Sequence, residues 1–160
     1  MPKPVYIICA ERAVVDQETN LVSFFNVIDK LDVALWPSDA VAPPQKKIAI
    51  LGAKAVASWS KVKGDEGKKF EAEMLFNAPN GQLATSGVMP FEFGENMFQR
   101  FIMTISGIPP MVENGILEVT CRIRRKGSRT WMSQSVEIPV DVTVHGKNEL
   151  PKIKKTNGKR

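Results

Sequence analysis

Apolar and polar residues alternate along most of this chain, and the spacing of two begins near its amino terminus. The stretch from Val5 to Trp36 holds two long apolar runs joined by the polar connector 16–20. Successive side chains of a strand point to opposite faces of a sheet, so a period of two predicts β-strands. We expect a long antiparallel pair at the centre of a β core, with a bend at Asp29–Lys30 where the chain passes from one sheet toward the next.

Further strands are expected wherever the same period recurs. Asn80-Gly81 and Lys126-Gly127-Ser128 have the residue types of tight hairpin turns. The run from Val136 to Val144 alternates most regularly, and Pro139 within it predicts a sheet edge or a bulge, because proline cannot donate to a ladder. The other predicted strands span 48–62, 70–76, 83–93, 98–105 and 116–125, and the predicted core includes Phe91, Phe93, Phe98 and Phe101.

No long stretch has the 3.6-residue period of an amphipathic helix. About eight strands with regular turns predict an all-β fold, a single-domain two-sheet antiparallel β-sandwich that is C2-like or Ig-like. Two packed sheets are favoured over a closed barrel because the proline-rich loop Trp36–Pro44 suits strands that change sheets. The domain is expected to span 1–146 and to be followed by a basic, disordered tail at 147–160.

Composition adds little to this picture, but the distribution of charge changes it. The 160 residues are 43% hydrophobic and 24% charged, which is ordinary for a folded domain. The net charge of +5 comes from the tail: Lys152–Arg160 carries five basic residues and no acid, and the remaining 17 basic residues equal the 17 acidic ones. The pI near 9.3 is therefore weak support for a basic binding face on the domain.

The apolar runs also bear on location. The run Val5–Ala10 is short for a secretory signal and is followed at once by Glu11 and Arg12, and no run approaches the ~20 residues of a membrane span. We therefore expect a soluble, cytoplasmic protein that does not contact a membrane. In that reducing compartment Cys9 and Cys121 are predicted to be small buried hydrophobes; the alternative, an inter-sheet disulfide of immunoglobulin type, requires export.

Two motifs carry a family resemblance. The opening ICAERAVVDQETNLVSFFNVID, followed by a proline-containing loop and later by FNAPNGQ, resembles a family of small bacterial and phage-associated proteins defined only as a domain of unknown function. Members share a first strand, a polar turn, a strand of the form F-N-x-I-D, and a later turn reading D/N-P-x-G, which here is the slightly different 77–81. The match covers mainly residues 5–35 and 70–93. The resemblance implies a β-sandwich and no assigned chemistry.

Candidate catalytic residues are few. His145 is the only histidine, so no histidine pair or triad can form within one chain. Glu71 and Glu73 fall on one strand face and could in principle share a proton, but solvated charge on that face is the simpler interpretation. Nucleotide-binding and hydrolase motifs are absent. The sequence therefore predicts no enzyme, no cofactor and no small-molecule substrate.

Metal binding is weakly indicated. The connector 16–20 offers oxygen ligands like the start of a calcium loop, but it lacks the glycine and the distal glutamate of that motif. Asp39 and Asp65 are scattered along the chain, and two cysteines with one histidine fall short of a zinc site. No metal site is predicted.

Nucleic-acid binding is the sharper functional alternative. A basic hairpin can enter a groove or follow a single strand while an aromatic side chain stacks on bases. The competing interpretation is that arginines on a solvated strand face pair with neighbouring acids. The candidate residues lie on hairpin 122–131 and the tail: Arg122, Arg124, Arg125, Lys126, Arg129, Trp131, Lys152, Lys154 and Lys155.

The preferred hypothesis is a non-catalytic protein-interaction or assembly module. A β core without paired reactive groups, together with exposed-edge candidates such as the strand 136–144, favours binding through sheet edges or loops. A protein partner is expected, and self-association is the simplest case.

Overall fold

Two antiparallel-rich sheets form the protein, which confirms the all-β, two-sheet prediction. The computed structural model describes residues 1–16, 18–35, 52–95, 97–105 and 111–145, and no helix occurs within these ranges. The strands are β1 (Lys3–Val15), β2 (Val22–Val27), β3 (Leu31–Leu35), β4 (Ala53–Ser60), β5 (Lys69–Asn77), β6 (Leu83–Thr85), β7 (Met89–Glu92), β8 (Phe98–Ile105), β9 (Gly115–Arg125) and β10 (Met132–Val144).

Strand order defines a four-stranded and a six-stranded sheet. The four-stranded sheet runs β2-β1-β4-β8, and the six-stranded sheet runs β3-β10-β9-β5-β6, with β7 also paired to β5. The chain crosses from the first sheet to the second between Val27 and Leu31, where the sequence predicts a bend. The proline-rich loop 36–44, the start of the predicted strand 48–62 and the tail 147–160 lie outside the described residues.

The described ranges hold ten strands where the sequence predicts about eight, partly because the expected strand 83–93 is two short strands. β6 pairs with one part of β5 and β7 with another along the same edge. Between β6 and β7, Ser86 forms the hydrogen bonds to β5 in place of a paired strand: its N–H donates to the Met74 carbonyl at 2.9 Å, and its Oγ accepts from the Met74 N–H at 3.0 Å. Gly87 follows with φ of +75°, a conformation that glycine adopts readily.

Both predicted turn signals are hairpins. The Gly81 N–H donates to the Ala78 carbonyl at 2.8 Å, and the Ser128 N–H donates to the Arg125 carbonyl at 2.8 Å. The expectation of antiparallel pairing is wrong for one pair, since β3 runs parallel to β10.

The expected edge position of the strand 136–144 is only half correct. β9 pairs along Met132–Val140 of β10, and β3 covers the other edge from Val140 to Val144. Pro139 immediately precedes Val140, the first residue of β10 that pairs with β3, so its missing N–H removes no bond to that strand.

The opening pair is not the centre of the core, because β2 is an edge strand and the hairpin Glu11–Val27, called the arm, folds back on its own sheet. Phe24 pairs with Ala13, which in a straight strand lies roughly 23 Å from Tyr6 at about 3.3 Å per residue. Instead the Tyr6 and Phe24 rings contact edge to face, with centroids 5.9 Å apart.

A second contact fixes the tip of the arm. The Arg100 Nη1 on β8 donates to the Asn20 Oδ1 at 2.8 Å. Within the arm, pairing places positions 13, 15, 22 and 24 on a half-buried face toward the sheet and positions 12, 14, 23 and 25 together on the exposed face. The arm therefore covers the outer face of the four-stranded sheet, where Val56 and Ser58 are buried.

The inter-sheet core is dominated by large side chains on β4, β5 and β9. Trp59, Phe70 and Leu117 are fully buried, beside the buried alanines of β4. Phe91 bridges the sheets, with its ring centroid 5.5 Å from that of Phe70 and 4.8 Å from that of Phe101. The prediction of core position is wrong for Phe98, which is 43% exposed because it begins β8 on the outer face.

Both cysteines are free and buried, as the preferred interpretation predicts. Burial raises the pKa of Cys9 to about 11, and burial likewise raises the pKa of Cys121 to about 11 against the lowering effect of a hydrogen bond from Trp59. That bond joins the Trp59 Nε1 to the Cys121 Sγ at 3.4 Å. The two thiols act as small apolar groups of the core.

We predict that Leu117→Ala lowers the free energy of unfolding by about 2–5 kcal/mol, because it empties a fully buried site between the sheets. The same change at Leu83, which is 61% exposed, should cost less than about 0.5 kcal/mol. Chemical denaturation of both variants measures the difference. Equal losses would contradict the position of Leu117 in the core.

Candidate interaction surfaces

The predicted basic hairpin is present, but two of its arginines are bound to carboxylates of the neighbouring strand. Register places Arg122 opposite Glu73 and Arg124 opposite Glu71 on the outer face of the six-stranded sheet. Arg122 donates from Nε at 2.9 Å and from Nη2 at 2.6 Å to the Glu73 Oε2. Arg124 donates from Nε to the Glu71 Oε2 at 2.6 Å. These contacts match the alternative in which strand-face arginines pair with acids.

Trp131 completes this group, which we call the arginine cluster: Glu71, Glu73, Arg122, Arg124 and Trp131. The guanidinium carbons of Arg122 and Arg124 lie 4.5 and 4.3 Å from the centroid of the indole ring. A ring in contact with two guanidinium groups gains cation–π stabilisation and offers less surface to a stacked base. Three of the candidate nucleic-acid residues thus contact partners within the protein.

Glu73 is the most constrained carboxylate of the cluster. The residue is 7% exposed, and its Oε1 accepts from the Thr85 hydroxyl at 2.5 Å. Burial by itself raises the pKa of the Glu73 carboxyl, but the hydrogen bonds from Thr85 and Arg122 outweigh it, so the pKa is lowered. Glu73 is therefore held ionised beside its arginine.

The other three hairpin cations form a separate exposed group at the tip. Arg125, Lys126 and Arg129 are exposed, and within the described ranges none of them forms a salt bridge. The Lys126 N–H donates to the Lys69 carbonyl at 2.9 Å, which joins the tip to the start of β5. An open depression of about 260 Å³ lies here, lined by Lys69, Pro90, Phe91, Glu92 and Lys126. The candidate tail residues Lys152, Lys154 and Lys155 lie outside the described part of the chain.

The oxygen-rich connector stabilises its own turn. The Asp16 Oδ1 accepts from the Thr19 N–H at 2.7 Å, from the Thr19 hydroxyl at 2.8 Å and from the Glu18 N–H at 3.0 Å. The backbone hydrogen bond from Thr19 is the main reason that the pKa of Asp16 is lowered. Among the described residues no group of three or more histidine, cysteine or acidic side chains is placed to hold a metal ion, and Asp39 lies outside them.

The edges of the six-stranded sheet are protected against further strands. β6 has three residues, and β7 has four residues including Pro90. On the opposite edge, Lys30 bridges the strands β3 and β10 through Asp32 at 3.1 Å and Asp141 at 2.7 Å. Short strands, proline and charge are the usual means by which sheet edges avoid unwanted pairing.

The edges of the four-stranded sheet lack these features. β2 has six residues, VSFFNV, with no charge and no proline. β8 has eight residues, FQRFIMTI, with Arg100 as its only charge. Within the described ranges each strand is paired on one side only, β2 to β1 and β8 to β4. Both therefore present unpaired backbone groups with few obstacles to a further strand.

Exposed apolar side chains accompany these two edges. On the arm, Val14, Leu21, Phe25 and Val27 are 42%, 65%, 51% and 56% exposed. Near β8, Met97 is 61% exposed, and Phe98 and Ile102 are 43% and 44% exposed. The sequence pattern did not predict that these residues are exposed. Apolar residues at both sets of alternating positions are expected for a strand buried on both faces, and here one of the two faces is open to solvent.

Comparison with protein-family models and with curated protein sequences finds no match for this chain. The family resemblance of the two motifs therefore stays a prediction. In the part of the chain that the structure describes, no helix is long and apolar enough to cross a membrane.

We predict that Glu73→Gln lowers the free energy of unfolding at pH 7 by about 1–2 kcal/mol, because Arg122 loses a charged acceptor in a mostly buried place. A carboxyl with a lowered folded-state pKa stabilises the fold above its unfolded pKa, and this stabilisation is lost as pH falls through the folded pKa. Urea unfolding at several pH values should show wild type and variant converging in acid. The exposed Glu113→Gln is the matched control, and a loss independent of pH would contradict the ionised state of Glu73.

Proposed function

We propose that this protein is a non-catalytic protein-interaction module that binds an extended partner strand at an edge of its four-stranded sheet. The main support is that the edge strands of the two sheets differ in length, charge and proline content. Proline, charge and short length protect the edges of the six-stranded sheet, whereas β2 and β8 are longer and carry one charge between them. Strand addition to such an edge gives affinity through backbone hydrogen bonds and specificity through alternate side chains.

The arm adds apolar contact area to this edge. Phe25 and Val27 lie on β2 itself, and Val14 lies on the paired strand β1, so all three border the open edge on the solvent side. Arg12 lies over the Phe25 ring at 5.9 Å, which leaves the rest of the ring exposed. An exposed aromatic side chain such as Phe25 is of a type that is enriched at the cores of protein interfaces.

The reactive groups in the described ranges have structural roles that agree with a binding protein. Glu71 and Glu73 pair with arginines, Asp16 stabilises its turn, and both thiols have pKa values raised by burial to about 11. A nucleophilic thiol needs a lowered pKa. Self-association through β2 is the simplest case, because two copies of an uncharged strand can pair without opposing like charges.

We expect wild-type protein to sediment with a concentration-dependent coefficient in the micromolar range, and Phe25→Lys with Val27→Lys to weaken this association by about tenfold or more. Both residues are more than half exposed, so the fold should tolerate the changes. The control, Leu83→Lys with Val88→Lys, adds the same charge at exposed apolar positions away from the arm.

Sedimentation velocity measures the three proteins side by side. Association equal to wild type in the arm variant, or a wild type that stays monomeric across the range, would contradict self-association through β2.

A second candidate function is nucleic-acid binding, and the exposed tip of the hairpin favours it. Arg125, Lys126 and Arg129 form no salt bridge in the described ranges and lie beside Lys69. Cations without protein partners are the groups that contact phosphates, and each contact adds to the salt dependence of binding. The phosphate contacts would come from the exposed tip and not from the arginine cluster, whose arginines contact carboxylates.

We predict that Arg125→Gln with Lys126→Gln reduces the salt slope of nonspecific duplex binding by about 2, because each lost phosphate contact removes about 0.9. The control pair Arg12→Gln and Lys54→Gln removes the same charge from the four-stranded sheet and should leave the slope unchanged. Fluorescence anisotropy against a labelled duplex at several salt concentrations gives the slopes. No binding by wild type at low salt would exclude this function.

A further inference from the structure

β8 presents a patterned edge as well as an open one. Its pairing with β4 places Phe98, Arg100, Ile102 and Thr104 opposite Ser60, Ser58, Val56 and Lys54. These positions alternate with Phe101 and Ile105, which are buried in the core, so Phe98, Arg100, Ile102 and Thr104 share the outer face. Read along the strand, that face is apolar, basic, apolar and polar.

Among the residues that the structure describes, neither Arg100 on β8 nor the neighbouring Lys54 on β4 has an acidic partner. Arg100 donates from Nη1 to the neutral amide oxygen of Asn20 at 2.8 Å, and its Nε is buried without an acceptor. The Lys54 Nζ donates to the neutral hydroxyl of Thr104. Within the described ranges neither cation forms a salt bridge.

This differs from the six-stranded sheet, where Arg122 and Arg124 each contact a carboxylate at 2.6 Å. A buried guanidinium N–H without an acceptor costs free energy, and a carboxylate satisfies it more strongly than an amide does. The outer face of β8 is therefore complementary to negative charge placed between apolar side chains.

A strand that adds to β8 places every second side chain on the same outer face. Side chains next to Phe98 and Ile102 gain apolar contact, and a carboxylate next to Arg100 gains a charge-assisted bond. We propose that the β8 edge binds an extended segment whose outer face carries apolar and acidic side chains in turn, at every second residue, an inference that rests on the proposed function.

A second copy of this edge does not supply that chemistry. β8 contains no acidic residue, and neither does β2, so pairing of either strand with β8 leaves Arg100 without a carboxylate. The partner at β8 is thus a different segment from the one that mediates self-association at β2. The two edges can be tested separately.

The experiment uses the full chain, labelled with ¹⁵N, and two synthetic nonapeptides. One peptide alternates threonine with valine or glutamate, so that valine and glutamate share one face; the other has lysine in place of each glutamate. The glutamate peptide should shift the amide resonances of β8 and β4, and anisotropy should show it binding about tenfold more tightly than the lysine peptide at low salt.

Variants locate the effect. Arg100→Gln, which keeps an amide donor, should reduce the preference for glutamate to less than about threefold, and Lys54→Gln should reduce it in part. Arg125→Gln, a change in the exposed cation of the hairpin tip, should leave it unchanged. Thermal unfolding checks that each variant folds, and the Lys54 variant keeps the test valid if Arg100→Gln unfolds.

Three results would overturn the inference, and they separate it from the proposed function. Equal binding of both peptides at β8 would remove the acidic preference and leave strand addition standing. Glutamate-peptide shifts confined to residues 125–129 would place the binding at the hairpin tip instead of β8. If neither peptide at about 1 mM shifts the protein's resonances, strand addition at β8 is excluded. Self-association at β2 is measured independently.

Discussion

The buried position of β4 is the constraint on which the rest of the structure depends. One face of β4 packs against the six-stranded sheet, and the arm covers the other, so six of its eight residues are buried. A strand with no solvent face cannot carry charge at its centre. Trp59 lies on the same inner face as the buried alanines of β4, and its Nε1 donates to the Cys121 Sγ at 3.4 Å. The arm is therefore needed to bury the outer face of β4. The opposite face of the arm is exposed to solvent.

The arrangement of charge follows from the same constraint. On the outer face of the six-stranded sheet, Glu71 lies opposite Arg124 and Glu73 lies opposite Arg122, and each carboxylate neutralises its arginine. The arm covers part of the outer face of the four-stranded sheet, and near β8 this face carries Arg100 and Lys54 beside the exposed Phe98 and Ile102. Among the residues that the structure describes, these two arginines on the outer face of the six-stranded sheet are thus paired, whereas the four-stranded sheet has two edge strands without protecting features and two cations without acidic partners. This asymmetry is why the interaction proposals concern the four-stranded sheet.

Alternation along the chain predicted the strands, the two hairpin turns and the change of sheet near Asp29 and Lys30, because these depend on neighbours within a few residues. It did not predict the parallel pairing of β3 with β10 or the fold-back of the arm. Both depend on contacts between distant segments, about which a period of two is silent. The pairing of Arg122 with Glu73 is similar: alternation places both on outer faces, but only the register between β5 and β9 sets them opposite. The exposure of Phe25 and Phe98 followed from strand order, which the sequence pattern does not contain.

In the part of the chain that the structure describes, the four-stranded sheet ends at β8 in an edge that is open to a partner strand. Amide hydrogen exchange of the isolated protein tests it directly. In an antiparallel edge strand, alternate N–H groups point toward the neighbour and toward solvent. With an open edge at β8, every amide of β4 should exchange slowly, and slow and fast exchange should alternate strictly along β8. Uniformly slow exchange along β8 would show that its second side is already paired within the chain and that the edge is closed.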